Sequence, residues 1–84
     1  MSALPPQLAV AYLRALSCDV RAVAVHGSGG AVLAQDGVLA GDIVRARQAD
    51  HEIAVAIGPH ALPALVGHDA ERTLELVLHP EHPA

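Results

Sequence analysis

The residues that could do chemistry begin with a short run from His26 to Gly30, HGSGG, between two apolar stretches. A serine nucleophile on a sharp turn needs a glycine two positions before it, and His26 occupies that place. That turn also leads into a helix of a large α/β sheet, whereas a strand-like run follows here. A phosphate-binding loop of the Walker type needs a lysine, and the chain has none. The run therefore predicts a turn between two strands.

Glycines supply the positive φ angles of tight turns, and aspartates that border strands usually serve turns as well. We therefore predict structural turn roles, not catalytic ones, for Gly27, Ser28, Gly29, Gly30, Asp36 and Gly37.

The histidines raise the question of a metal site. His79 and His82 have a spacing that could chelate a metal, but a structural zinc site needs four ligands. Cys18 and His26 would have to converge on that pair, and the prolines around it indicate a solvated tail. We predict no metal. A small-ligand or metal-binding sensor stays the alternative function, because His26 adjoins the glycine run.

The acidic residues indicate no catalytic site. Glu71 and Glu75 lie one helical turn apart with Arg72 nearby, which is typical of a solvated helix face. The chain shows no set of nucleophile, base and orienting group. We predict that the protein is not an enzyme, with no catalytic residue and no cofactor.

Hydrophobic periodicity predicts the order helix, hairpin, hairpin, helix. The first helix follows Pro5 and Pro6, with Leu8, Tyr12 and Leu16 in one apolar stripe beside Ala9 and Leu13. Two valine-rich runs flank the glycines, and two alternating runs, 42–48 and 52–58, flank a turn near Ala49 and Asp50. The last helix begins near Leu62 and buries a stripe of Leu62, Val66, Ala70, Leu74 and Val77 or Leu78. The fold class is α+β, a four- to five-stranded antiparallel sheet packed by an N-terminal and a C-terminal helix.

Gly67 lies in the middle of that last apolar stripe. A glycine inside a helix costs about 1 kcal/mol relative to alanine. Close approach of another backbone would explain it, and the chain's own sheet is favoured over a second chain. We predict a close-packing role for Gly67.

Composition limits the partners. The 84 residues predict a single domain, 1–84, with its core at about 7–78 and a tail at 79–84. Hydrophobic residues make up 52%, but without Phe or Trp the core is thin, which favours self-association. A net charge of −4 with scattered arginines argues against nucleic acid. No apolar run approaches the roughly 20 residues that span a bilayer, so we expect no membrane contact and a cytoplasmic location.

The order of these elements resembles the Roadblock/dynein light chain family, in particular its bacterial members. The likeness covers residues 7–78 and rests on the helix, the hairpin DVRAVAVHGSGGAVLAQDG with its final Asp36-Gly37, the strand EIAVAIGP and the closing helix. The family has a helix between its second and third strands, whereas GVLAGDIV at 37–44 leaves room for a loop or one turn. The chain would be a shortened member. DGVLAGDIVRA also looks like a turn of PDZ domains, but the order of elements does not fit that fold.

The resemblance implies a protein-interaction module. Members of the family are small dimeric platforms that bind and regulate bacterial Ras-like small GTPases or serve as adaptors. We therefore expect a homodimeric scaffold or regulator whose partners are a second copy and a small GTPase or signalling protein. The missing helix belongs to the family's dimer interface, so the dimer geometry is left open.

Overall fold

The structure, a computed structural model, describes residues 5–48 and 50–78. Its elements in chain order are α1 (Pro6–Leu16), β1 (Val20–His26), a short 3₁₀ turn (Ser28–Gly30), β2 (Val32–Asp36), β3 (Asp42–Gln48), β4 (His51–Ile57) and α2 (Pro63–Leu78). The predicted order of helix, hairpin, hairpin and helix is confirmed. The predicted tail, with His79 and His82, lies outside the described residues, as does Ala49.

The strands form one antiparallel sheet in the order β2-β1-β4-β3. Each hairpin joins neighbours along the chain, and the two hairpins meet where β1 pairs with β4. This central pairing sets Val23 opposite Val55 and Val25 opposite Ile53. Consequently β2 and β3 are the two edges of the sheet. The predicted α+β class with a four-stranded antiparallel sheet is confirmed.

Both helices pack on one face of this sheet. The period-2 alternation of β1 and β4 directs valine and isoleucine side chains to that face. From the helices, Ala9, Leu13, Val66, Ala70 and Leu74 complete the buried core. Helix α1 lies over β1 and β2, while α2 lies over β3 and β4.

The buried face of α1 matches the predicted one only in part. Leu8 and Tyr12 are 53% and 42% exposed, whereas Ala9, Val10 and Leu13 are buried. The prediction was right for Ala9, Leu13 and Leu16, which lie in or against the core, and wrong for Leu8 and Tyr12. Helix α1 is apolar nearly all round, so hydrophobicity does not mark its wet side. Leu62 is also exposed, since it precedes α2 rather than lying on its buried stripe.

The opposite face of the sheet is made of alanines. The link at 37–41 leaves β2 at one edge and enters β3 at the other, so it must cross β1 and β4. It begins directly on that face: a Cβ added to Gly37 would lie 3.0 Å from the Cβ of Ala22, and Gly37 has a φ of +84°. Small side chains leave room for this crossing. The buried residues of this face are Ala22, Ala24, Ala54 and Ala56.

One buried carboxylate ties the ends of the central strands. Asp19 lies just before β1, and its side-chain carboxylate accepts a hydrogen bond from the backbone N–H of His60. Its backbone carbonyl accepts one from the N–H of Gly58 at 2.8 Å. A Cβ on Gly58 would lie 2.4 Å from Asp19 Oδ1, so any side chain there would have to displace this carboxylate. The His60 N–H and then the charge of Arg21 lower the pKa of Asp19, against the opposing effect of burial.

Candidate functional site

A cleft of about 570 Å³ lies where β1 meets the glycine turn. Three parts of the chain build it. The HGSGG run forms one wall, the β3–β4 hairpin forms another, and Leu39 from the crossing link adds an apolar contact. The hairpin contributes Arg45, Arg47, Asp50, His51 and Glu52.

Strand pairing explains why these side chains meet. Glu52 of β4 is the register partner of both His26 in β1 and Arg47 in β3. Residues opposite one another in a sheet share a face, so the three side chains form one row across three strands. Arg45 lies two positions before Arg47 and therefore also faces this side. The sequence singled out His26, but it did not predict Glu52 and the arginines as its neighbours.

Glu52 joins the two arginines. Its Oε1 lies 3.2 Å from Arg45 Nη1, and its Oε2 lies 3.3 Å from Arg47 Nη2. Glu52 is half-buried, while both guanidinium groups are exposed. Because one carboxylate serves two guanidinium groups, this cluster carries one excess positive charge. Each contact engages one guanidinium nitrogen, and an arginine has five N–H donors in total.

Two imidazoles bordering the cleft carry an unsatisfied nitrogen. The Nδ1 atoms of His26 and His51 are closed to solvent and have no hydrogen-bond partner in the described part of the chain. A buried polar atom without a partner lowers stability, and such atoms are rare in folded proteins.

The glycine run does connect β1 to β2. The N–H of Gly27 donates to the Ala31 carbonyl at 2.7 Å, and the N–H of Gly30 donates to the Gly27 carbonyl at 3.2 Å. Gly29 and Gly30 have φ angles of +77° and +83°, and Ser28 is exposed on the rim of the cleft.

The other predicted structural residues lie away from the cleft. Asp36 ends β2, where its Oδ2 is 3.3 Å from Arg14 Nε, and Gly37 follows it on the alanine face. A Cβ on Gly67 would lie 3.2 Å from Val44 Cγ1, so the surface that α2 approaches closely at this glycine is the chain's own β3.

The described residues hold no group of three or more His, Cys, Asp or Glu side chains that could bind a metal ion. Cys18 is exposed. The predicted chelating pair, His79 and His82, lies outside residues 5–48 and 50–78.

A second candidate surface is the outer edge of β2. Nothing in the described sheet pairs with this side of the strand. Val32 and Leu33 are 55% and 41% exposed, and Asp36 at the end is the strand's one charged residue. An edge with a single charge at its end and exposed apolar side chains is a template for pairing with another strand.

The exposed side of α1 continues this surface. Leu8, Ala11, Tyr12 and Ala15 are exposed at the spacing of one helical face. A groove of about 390 Å³ between α1 and β2 separates the two, and Ala11 belongs both to the stripe and to the groove wall. The opposite wall is formed by Ala34, Gln35 and Asp36.

No family model, curated protein or solved structure matches this chain. The resemblance to the Roadblock/dynein light chain family therefore stays a prediction. Within the described residues, neither helix is long and apolar enough to cross a membrane. The expected cytoplasmic location also stays a prediction.

Proposed function

We propose that the chain is a non-enzymatic interaction module that works as a homodimer joined along the edge of β2. The observation that carries this proposal is the unpaired outer edge of β2, which exposes Val32 and Leu33 and carries one charged residue, Asp36, at its end. Edge strands of monomeric proteins are usually protected by charges, prolines or a covering element. Pairing with a second copy would satisfy the free backbone groups of β2 and cover its apolar side chains.

The strand is complementary to itself. In an antiparallel pair about a two-fold axis at Ala34, Leu33 faces Gln35 of the second copy. A bulge of β2 at Leu33, which sets Val32 opposite His26 in β1, shifts Val32 out of direct opposition to Asp36 of the second copy but leaves it near that residue. No like charges face each other in this register. The two four-stranded sheets would then form one eight-stranded sheet.

Helix α1 enlarges the same interface. It lies over β1 and β2, so pairing of two β2 strands brings the exposed stripe of each α1 towards the other copy. Between Pro6 and Leu13 the helix has no charged residue, so this stripe can be buried without desolvating an ion.

The partner class beyond a second copy rests on the family resemblance alone. A bacterial Ras-like small GTPase is the partner that the resemblance implies, with the dimer as its binding platform.

Light scattering after size exclusion, at two loading concentrations, tests the dimer. A molar mass near twice 8.6 kDa at both loadings is expected. A mass of one chain at both loadings would overturn the proposal.

Two substitutions at one position test the register. Val32→Glu adds a carboxylate near Asp36 of the other copy, and a two-fold axis repeats this repulsion, so we expect a loss of up to about 1–2 kcal/mol, roughly tenfold in Kd. Val32→Lys adds a cation near the same Asp36 and should keep the dimer. Leu76→Glu, on the exposed side of α2, is the matched control and should also stay dimeric. If Val32→Glu and Val32→Lys dissociate equally, the register is wrong.

A further inference from the structure

We propose that the cleft between the glycine turn and the Arg45–Glu52–Arg47 cluster binds a small organic molecule through one anionic group, a carboxylate or a phosphate. This function is separate from the proposed dimer, because the cleft and the β2 edge are formed by different residues.

The arginines supply the recognition. Arg45 and Arg47 project from the same face of β3, about 7 Å apart along the strand. Each contacts Glu52 through one nitrogen and keeps its guanidinium group exposed at the cleft. The remaining donors can therefore form charge-assisted hydrogen bonds to an oxyanion that bridges the two groups.

The imidazole of His26 supplies a second contact. Its Nδ1 atom has no protein partner among the described residues, and its side chain shares a face of the sheet with Glu52. A turn of this ring about its terminal torsion exchanges the two ring edges and would direct Nδ1 to the cleft. A bound oxyanion would then give it the partner that the protein does not supply.

Charge limits the ligand to a single anionic group. The cationic Arg45 and Arg47 are balanced by Glu52 and Asp50 in the cleft wall, so a polyanion would face two carboxylates. Leu39 gives an apolar surface for the rest of the molecule. The cleft volume of about 570 Å³ falls within the range of small-molecule sites.

The experiment is an NMR titration of the isotope-labelled chain with inorganic phosphate and, separately, with butyrate, each at an ionic strength fixed by chloride. Saturable shifts of the Gly27–Gly30 amides with either probe are expected. A response to phosphate alone assigns a phosphate ligand, a response to butyrate alone assigns a carboxylate, and responses to both support a general oxyanion site. No saturable shift with either probe would overturn the proposal.

Two substitutions in the cleft should change its affinity for the probe in opposite directions. Arg47→Gln removes a charged donor and should weaken binding of the responding probe about tenfold. Glu52→Gln removes the competing carboxylate and should tighten it several-fold. Arg72→Gln, an exposed arginine on α2, is the matched control and should leave Kd unchanged. Equal weakening by Arg47→Gln and Arg72→Gln would show general charge attraction and overturn the site.

The proposal of a dimer and the proposal of an anion site can be tested independently. Leu8→Glu, on the exposed stripe of α1 and away from the cleft, should lower the molar mass while the probes still shift the Gly27–Gly30 amides. Arg47→Gln should weaken the probe while the mass is unchanged.

Discussion

The two edges of the sheet are protected very differently. At β3, two arginines stand on the edge strand, and α2 approaches so closely that a Cβ on Gly67 would lie 3.2 Å from Val44. At β2, the strand carries one acidic residue at its end, exposes Val32 and Leu33, and is separated from α1 by a groove. One edge has two cations and a closely packed helix, whereas the other has a single acid at its end, ion-paired to Arg14, and a groove beneath its helix.

This difference indicates where the molecule can associate. A second strand that approaches β3 would have to desolvate two guanidinium groups, which is costly unless they are paired again. A strand that approaches β2 covers apolar side chains and gains backbone hydrogen bonds. Thus the same sheet opposes pairing at β3 and permits it at β2.

The largest effect on stability is expected from truncating one core leucine under each edge of the sheet. Leu13 in α1 and Leu74 in α2 are both fully buried, one over the β2 half and one over the β3 half. Leu13→Ala and Leu74→Ala should each lower the free energy of unfolding by about 3 kcal/mol, through lost burial and a residual cavity. Urea denaturation at a fixed protein concentration measures this loss. Only Leu13→Ala should also weaken the dimer, because α1 belongs to the proposed interface.

Light scattering under native conditions separates the two variants. If Leu74→Ala dissociates the dimer and Leu13→Ala does not, the interface lies on the β3 side. Should either variant unfold, Leu13→Met and Leu74→Met provide milder versions, because volume-conserving changes usually cost less than 1.5 kcal/mol.

The sequence predicts the fold well where contacts are local. Both hairpins join neighbouring segments, and the alternation of Ile53, Val55 and Ile57 assigns the buried face of β4. The buried face of α1 was predicted correctly for Ala9 and Leu13 but wrongly for Leu8 and Tyr12, because no charged residue marks the wet side of the helix before Arg14. The local sequence pattern does not determine which side of α1 is buried, because that depends on packing against β1 and β2.

The candidate site could be predicted only in part, for a similar reason. The HGSGG run is visible in the sequence, and so is the shared face of Arg45 and Arg47. Their meeting depends on the pairing of β1 with β4, which sets His26 opposite Glu52 across 26 positions of the chain. The crossing of the 37–41 link, which brings Leu39 to the cleft, is equally non-local.

A smaller effect on stability should come from removing the charges of β3. In the double variant Arg45→Thr and Arg47→Thr, two exposed ion pairs to Glu52 are lost, which should change the free energy of unfolding by no more than about 1 kcal/mol. Threonine suits a strand, so the fold should persist. With both edges open, each dimer can add further copies, and light scattering should detect species larger than a dimer.

The matched control for this double variant is Arg72→Thr on α2, which should leave the molar mass unchanged. A double variant that stays at the mass of the parent protein would show that α2 alone protects β3. The contrast between the edges would then rest on packing instead of charge.

The smallest effect is expected from Asp19, which lies at the ends of the two central strands and so favours neither edge. The pKa of its carboxyl is lowered in the folded chain, first by the N–H of His60 and then by Arg21. A group whose folded pKa is lowered contributes stability above its unfolded value, and that contribution is lost as the pH falls through the folded value. Only the charge contribution is lost, because a protonated carboxyl can still accept the His60 N–H through its carbonyl oxygen.

Comparison with Asp19→Asn isolates this contribution from the other carboxyl groups. The parent should be the more stable at neutral pH, and the difference should shrink as the pH falls below about 4. Urea denaturation across this pH range measures it. In the Arg21→Gln background most of the difference should remain, since the His60 N–H is the larger cause. A difference that is constant with pH would show that the Asp19 charge does not stabilise the fold. A drop in dimer mass for Asp19→Asn at neutral pH would show that the central strands and the β2 edge are coupled.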